Sequence, residues 1–231
     1  MVRAAGAGSG KQAFIKAEPQ PLEIDLQRTA VLVVDMQNAF LSKGGFFDLV
    51  GIDTPQRQQV VERIKEICDM ARTTQIKVIH VVFRYSPDLR EMGNPDLPWW
   101  HKGVGFYRDH PESRDKFLIR GTWGAEIVKE LEPKHGDLLV EKHKYSAFCG
   151  TSLDITLKTF AIKYLLFLGA FTNICVEASL RDSFYHGYFP ILVSDATASL
   201  GPEYTKDATI FNVRECYGWV TTTKDVMIGI A

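Results

Sequence analysis

Six short apolar runs recur along the chain, and each is bounded by turn residues or by an amphipathic stretch. They are AVLVVDM (30–36), KVIHVVF (77–83), DLLVEK (137–142), YLLFLGA (164–170), FPILVSDA (189–196) and YGWVTT (217–222). Runs this short and this rich in β-branched and aromatic residues read as strands, and their continuity means that both faces of the sheet are covered. Between them lie helical patterns at 58–74, 124–131, 152–160, 173–187 and 203–213, with a last helix from about Lys224. In the first, Val61, Ile64, Ile67, Cys68 and Ala71 share one face. Thr151 or Ser152 is suited to cap the third, and Gly187 to end the fourth. Alternating strands and helices predict an α/β fold: a six-stranded, mostly parallel sheet in a three-layer α-β-α sandwich.

The chain has 231 residues, enough for one sizeable core. Residues 1–18 are rich in Gly, Ala and Ser and are expected to form a flexible tail before a single domain spanning 19–231. The GAGSGK stretch within that tail is no phosphate loop, since no strand precedes it and Gln12 follows its lysine. The interval 84–118 fits no element; its Pro87, Pro95, Pro98, Pro111 and Trp99-Trp100 suggest a lid or an interface insertion.

With a formal net charge of -1 and no basic block, no nucleic-acid or membrane partner is expected. No long apolar window or secretory signal is recognised, and Cys68, Cys149, Cys175 and Cys216 form no CxxC pair, which points to reduced thiols in a cytoplasm. The six histidines have no metal-ligand spacing, GxSxG is absent, and no GxGxxG follows the first strand. Neither a metal nor an organic cofactor is expected.

In open α/β sheets, ligands bind beyond the carboxyl ends of the strands. Asp35 follows the first strand, Lys142 closes the third, and Cys175 lies five residues past the fourth. Each has a bland alternative: a turn cap, a solvated lysine, a small buried thiol. Together they form a chemical set. A helix N-terminus and a cation lower a thiol pKa, and a carboxylate can take the thiol proton and return it to a leaving amine. Backbone N–H groups in the turn 171–175 could face an oxyanion. Such a set suits hydrolysis of an amide or ureide through a covalent thioester.

The same stretches carry a resemblance. AVLVVDMQNAF (30–40), GTWGAEIVKEL (121–131), VEKHKYSAF (140–148) and GAFTNICVEASLRDSFYHGYFPILVSDA (169–196) fall in the order found in the isochorismatase-like cysteine hydrolases. Within that family, GGFFDLVGID (44–53) and FNVRECYGWV (211–220) are similar to ureidoacrylate amidohydrolases. KGGFFD and IHVVFRYSPDL are similar to biuret hydrolases. The resemblance implies an Asp–Lys–Cys triad at Asp35, Lys142 and Cys175, a cis peptide before Phe171, and an oxyanion hole from the N–H groups of Phe171 and Cys175. It also implies a homo-oligomer, a dimer or tetramer, with the Trp99-Trp100 segment a candidate for its contact.

Two relatives are disfavoured: DMQNAFLSKGGFFD lacks the histidines of metal-assisted nicotinamidases, and the vinyl-ether-cleaving isochorismatases lack the cysteine. The expected partner is a small ureide or amide. Gln37, Asn38 and Phe40 of the MQNAF turn, with Trp123, Tyr145 and Tyr217, are the expected substrate contacts, although Phe40 and Tyr217 could be core aromatics and Asn38 could close its own turn.

Overall fold

A computed structural model describes residues 11–54 and 56–230. The predicted strands are present as β3 (Thr29–Val34), β4 (Lys77–Phe83), β5 (Leu138–Lys142), β6 (Tyr164–Ala170), β7 (Phe189–Ala198) and β8 (Trp219–Thr221). Two earlier strands, β1 (Gln12–Ile15) and β2 (Leu22–Asp25), form a separate antiparallel pair. The six form one parallel sheet in the order β5-β4-β3-β6-β7-β8. From β3 the chain first builds outward through β4 and β5, then returns to the other side of β3 with β6. The order therefore reverses between β3 and β6, and the crevice beyond their carboxyl ends is where such sheets bind ligands.

The helices long enough to pack on the sheet are α1 (Arg57–Thr73), α2 (Leu153–Thr159), α3 (Glu177–Tyr185), α4 (Glu203–Asn212) and α5 (Thr223–Ile230). Alternate residues of the strands feed two cores. Val31, Val33, Leu166 and Leu168 pack with Ile64, Ile67 and Cys68 of α1 and with Val226 and Ile230 of α5. Ala30, Leu32, Val34, Leu165 and Phe167 pack with Leu153 and Leu157 of α2 and Leu180 of α3. Such two-sided burial makes the continuous apolar strands favourable, at roughly 25 cal/mol per Å² of apolar surface removed from water, and produces the expected three layers. No described helix is long and apolar enough to cross a membrane.

Three local expectations are corrected. Residues 12–15 are not tail: Ala13 and Ile15 alternate inward, and β1 packs on α5 so closely that a Cβ on Gly229 would lie 2.5 Å from the Phe14 carbonyl oxygen. The expectation for residues 1–10 lies outside the described residues. Residues 124–131 are not one helix but two single 3₁₀ turns, Trp123–Ala125 and Lys129–Leu131. Between them Ile127 bridges to Gln37 and the Val128 N–H donates to Met36 O, so those backbone groups serve a neighbouring segment instead of a helical ladder. The interval 84–118 is a succession of short turns, including Pro98–Lys102 and Gly105–Asp109. It lies over the carboxyl ends of the strands, and Trp99 and Trp100 are half-buried against the chain's own core.

Candidate active site

Asp35 follows β3 directly with φ 51°, a left-handed conformation that Asp tolerates better than most residues. Its N–H still donates to Val81 O and its carbonyl accepts from the Gln37 N–H, so the chain leaves the sheet in a tight turn. Beside it, Gly169 of β6 has φ 116°, and a Cβ there would lie 2.1 Å from the Val34 carbonyl oxygen. Only glycine lets β6 approach β3 this closely at the residue preceding Asp35.

Lys142 closes β5, two strands away from β3. Its stem crosses β4, with Nζ 4.3 Å from the centre of the Phe83 ring, and reaches Asp35 Oδ2 at 2.8 Å. The ammonium also donates to Lys144 O at 3.0 Å. Neither Asp35 nor Lys142 exposes any surface. A buried pair of this kind survives only where each charge compensates the desolvation of the other.

Cys175 lies in a π-turn, Thr172–Val176, that opens α3. Such turns are frequent at functional sites. The Ala170–Phe171 peptide before it is cis, as the resemblance implied. Thr172 Oγ1 donates toward Ala198 O at 2.9 Å, with Thr197 Oγ1 at 2.8 Å, and the Asn173 amide exchanges two hydrogen bonds with the backbone of Leu200. Ser179 Oγ donates to Cys175 O and accepts from the Ala147 N–H. The turn is thus tied down on both sides. The charges of Asp35 and Lys142 both act on the thiol, Asp35 raising its pKa and Lys142 lowering it.

Burial dominates the electrostatics. It raises the Asp35 carboxyl above its ordinary 3.8, against the opposing pull of Lys142. It also pushes the Cys175 thiol up, with Lys142 opposing and Asp35 reinforcing the shift. The resting cysteine is therefore a neutral thiol, and a proton acceptor must act when it attacks.

Above the thiol lies a cavity of about 170 Å³. Phe40, Phe46, Phe47, Phe83, Phe117 and Phe171 line it, together with Leu118, Ile174, Leu200 and Tyr145, and with Lys102 and Gly103 from the covering segment. Phe47 stacks on Phe171 at 5.5 Å and 9°, and Phe40 meets both rings edge-on. Cys175 lines this space, whereas Asp35 and Lys142 are fully buried and do not line it.

Of the expected substrate contacts, Phe40 and Tyr145 line the cavity and four others do not. Gln37 is buried, its amide donating to Phe83 O and Ala125 O and accepting from the Phe83 N–H. Asn38 donates to Trp123 O and accepts from Ser42 Oγ. Trp123 is 44% exposed under the Lys116 ammonium. Tyr217 accepts from Arg181 and packs on Phe184 and Tyr185. In each case a nearer protein partner takes the polar group or ring. Phe46, Phe47, Phe83 and Phe117 were not anticipated, because nothing in a sequence separates a phenylalanine of a cavity wall from one of a core. Among the described residues, no three His, Cys, Asp or Glu side chains converge as a metal ligand set.

This fold, with an acid, an amine and a thiol meeting at its switch point, defines a class. Residues 29–225 match the isochorismatase domain model, and the chain belongs to the isochorismatase family. It is 41% identical over 213 residues to the ureidoacrylate amidohydrolase RutB of Agrobacterium fabrum, covering 91% of this chain and 93% of that protein. It is 40% identical over 214 residues to the RutB of Caulobacter segnis, covering 92% and 90%. Among solved structures, a cysteine hydrolase from Pseudomonas syringae pv. phaseolicola superposes with a TM-score of 0.76 at 25% identity, covering 90% of this chain and 94% of that one. N-carbamoylsarcosine amidase from Thermoplasma acidophilum gives a TM-score of 0.64 at 26% identity, covering 85% and 96%.

Proposed function

We propose that the protein is a cysteine-dependent amidohydrolase that cleaves a C–N bond of a small ureido or carbamoyl compound. The observation that carries this reading is that Cys175, whose thiol feels the charges of the buried Asp35–Lys142 pair, lines a mostly apolar cavity. The names of the similar proteins, ureidoacrylate amidohydrolase and N-carbamoylsarcosine amidase, support the ureide as substrate class.

In this mechanism Asp35 takes the Cys175 proton as sulfur attacks the ureido carbonyl carbon. Lys142 holds its positive charge beside both groups and lowers the cost of the thiolate. The oxyanion of the tetrahedral intermediate is received by the N–H groups of Phe171 and Cys175. Collapse breaks the C–N bond, Asp35 returns its proton to the departing amine, and a carbamoyl-thioester remains on Cys175. Water, deprotonated by Asp35, then attacks that carbonyl and releases carbamate and the free thiol. No metal or organic cofactor enters these steps. The enzyme works as a homo-oligomer in the cytoplasm.

The test is an ammonia-release panel over ureidoacrylate, biuret, triuret, N-carbamoyl amino acids and simple primary amides. Turnover concentrated on the ureides supports the reading, with ureidoacrylate the expected best substrate. Turnover of none of the ureides overturns it.

A further inference from the structure

Two π-turns occur among the described residues, and one network of side chains joins them. The first, Thr172–Val176, carries Cys175; the second, Val213–Tyr217, follows α4. Each is closed by the backbone N–H of the next residue: Glu177 donates to Thr172 O, and Gly218 to Val213 O. A π-turn spans one residue more than an α-turn, and such turns are rare and frequent at functional sites.

The Glu177 side chain fastens the first turn to its surroundings. Only 17% of that side chain is exposed. Oε1 accepts from Arg181 Nε at 2.9 Å and from Nη2 at 2.5 Å, and Oε2 accepts from Thr209 Oγ1 of α4 at 2.6 Å. Arg181 Nη1 donates on to the Tyr217 hydroxyl at 2.8 Å, and its guanidinium lies 4.4 Å from the centre of the Tyr217 ring. One residue thus closes the turn with its backbone and, through its carboxylate, ties it to α4 and to the second turn.

This bears on Cys175 through the register of the turn. If the π-turn relaxed to an ordinary α-turn, the residues before Glu177 would rotate against α3 by about 100°, one residue of helix. That rotation would carry the Cys175 sulfur off its present bearing on Asp35 and Lys142. A Glu177 carboxylate held from α3 and α4 together resists it. We infer that Glu177 is a positioning residue: its carboxylate, braced by Arg181 and Thr209, holds the π-turn in the register that presents the Cys175 thiol. The inference rests on the cysteine mechanism proposed above and adds to it a residue that acts only through Cys175.

The experiment compares the wild type with Glu177→Ala, Glu177→Gln and Thr209→Val, and with Arg72→Met as a control for destabilisation alone. Arg72 pairs with Asp69 and with Asp137, which precedes β5 at the opposite, amino end of the sheet. Two quantities are read: kcat and KM on ureidoacrylate, and the rate at which iodoacetamide alkylates Cys175 relative to the exposed Cys149, followed by peptide mass spectrometry. Glu177→Ala is expected to lower kcat by about tenfold to a hundredfold, the scale of a misplaced reacting atom, with KM little changed. Alkylation of Cys175 slows by a similar factor while Cys149 keeps its rate. Glutamine, which keeps the shape and one acceptor oxygen, restores most of both losses, and Thr209→Val gives a smaller loss. Arg72→Met keeps the wild-type kcat and alkylation rate.

A folded Glu177→Ala protein with the wild-type kcat and Cys175 alkylation rate overturns the assignment, as do equal losses in Arg72→Met. If Glu177→Ala does not fold, Thr209→Val decides by the same criterion. If the wild type turns over no ureide, the ureide reading fails, and the alkylation rates alone decide the role of Glu177.

Discussion

Lys142 Nζ and Asp35 Oδ2 meet at 2.8 Å with no solvent access to either, although their strands are separated by the whole width of β4. Removing one partner strands the other charge. Lys142→Met is expected to lower stability by about 3–5 kcal/mol and to abolish turnover. The double variant Asp35→Asn/Lys142→Met is expected to be more stable than the sum of the two single changes, because no buried charge then remains. Urea denaturation of the four proteins checks this; strict additivity would contradict the coupling.

The pH dependence follows from Asp35. Its carboxyl is raised above 3.8 by burial, and it must be ionised to accept the thiol proton. The acidic limb of kcat/KM is therefore expected above the range of an exposed aspartate. The same shift acts on folding: the neutral carboxyl contributes stability that is full below the ordinary value and is lost as pH rises through the raised one. A rate profile that stays flat down to about pH 4, the ordinary aspartate value, would exclude Asp35 as the base.

Gln37 and Phe40 separate support from binding. Gln37 makes three buried hydrogen bonds that join β4 to the 123–125 turn. Gln37→Leu is expected to cost about 2–3 kcal/mol in denaturant stability, by leaving backbone groups unpaired. Phe40→Ala is expected to raise KM for the ureide by several-fold, since its ring forms cavity wall beside Phe47 and Phe171. Equal KM effects from both variants would return Gln37 to the substrate.

Gly169→Ala places a methyl group against the Val34 carbonyl at a φ that disfavours any side chain. The expected outcome is a loss of about 3 kcal/mol or more and lower activity, as β6 is forced from β3 next to Asp35. Thermal unfolding checks it, and a wild-type Tm would contradict the packing described.

Asp35, Lys142 and Cys175 were legible because strand ends can be located from short apolar runs, and polar residues at those positions are few. The order β5-β4-β3-β6-β7-β8 was not legible, because parallel pairing is set by packing between distant segments, not by any local pattern. Ala125, Val128 and Leu131 are spaced like a helix face, yet all three are buried by a turn-and-strand path that answers to Gln37 and Met36. Gln37, Asn38 and Tyr217 misled for a related reason. An amide or a phenol can serve a substrate or its own backbone equally well, and only the folded distances decide which.

The central claim is that Cys175 is the nucleophile, and Cys175→Ala tests it most directly. With ureidoacrylate as substrate and circular dichroism to confirm a native fold, the variant is expected to lose activity by roughly 10⁴- to 10⁶-fold, the scale found when a covalent nucleophile is deleted. A folded Cys175→Ala protein that releases ammonia at the wild-type rate would contradict the account.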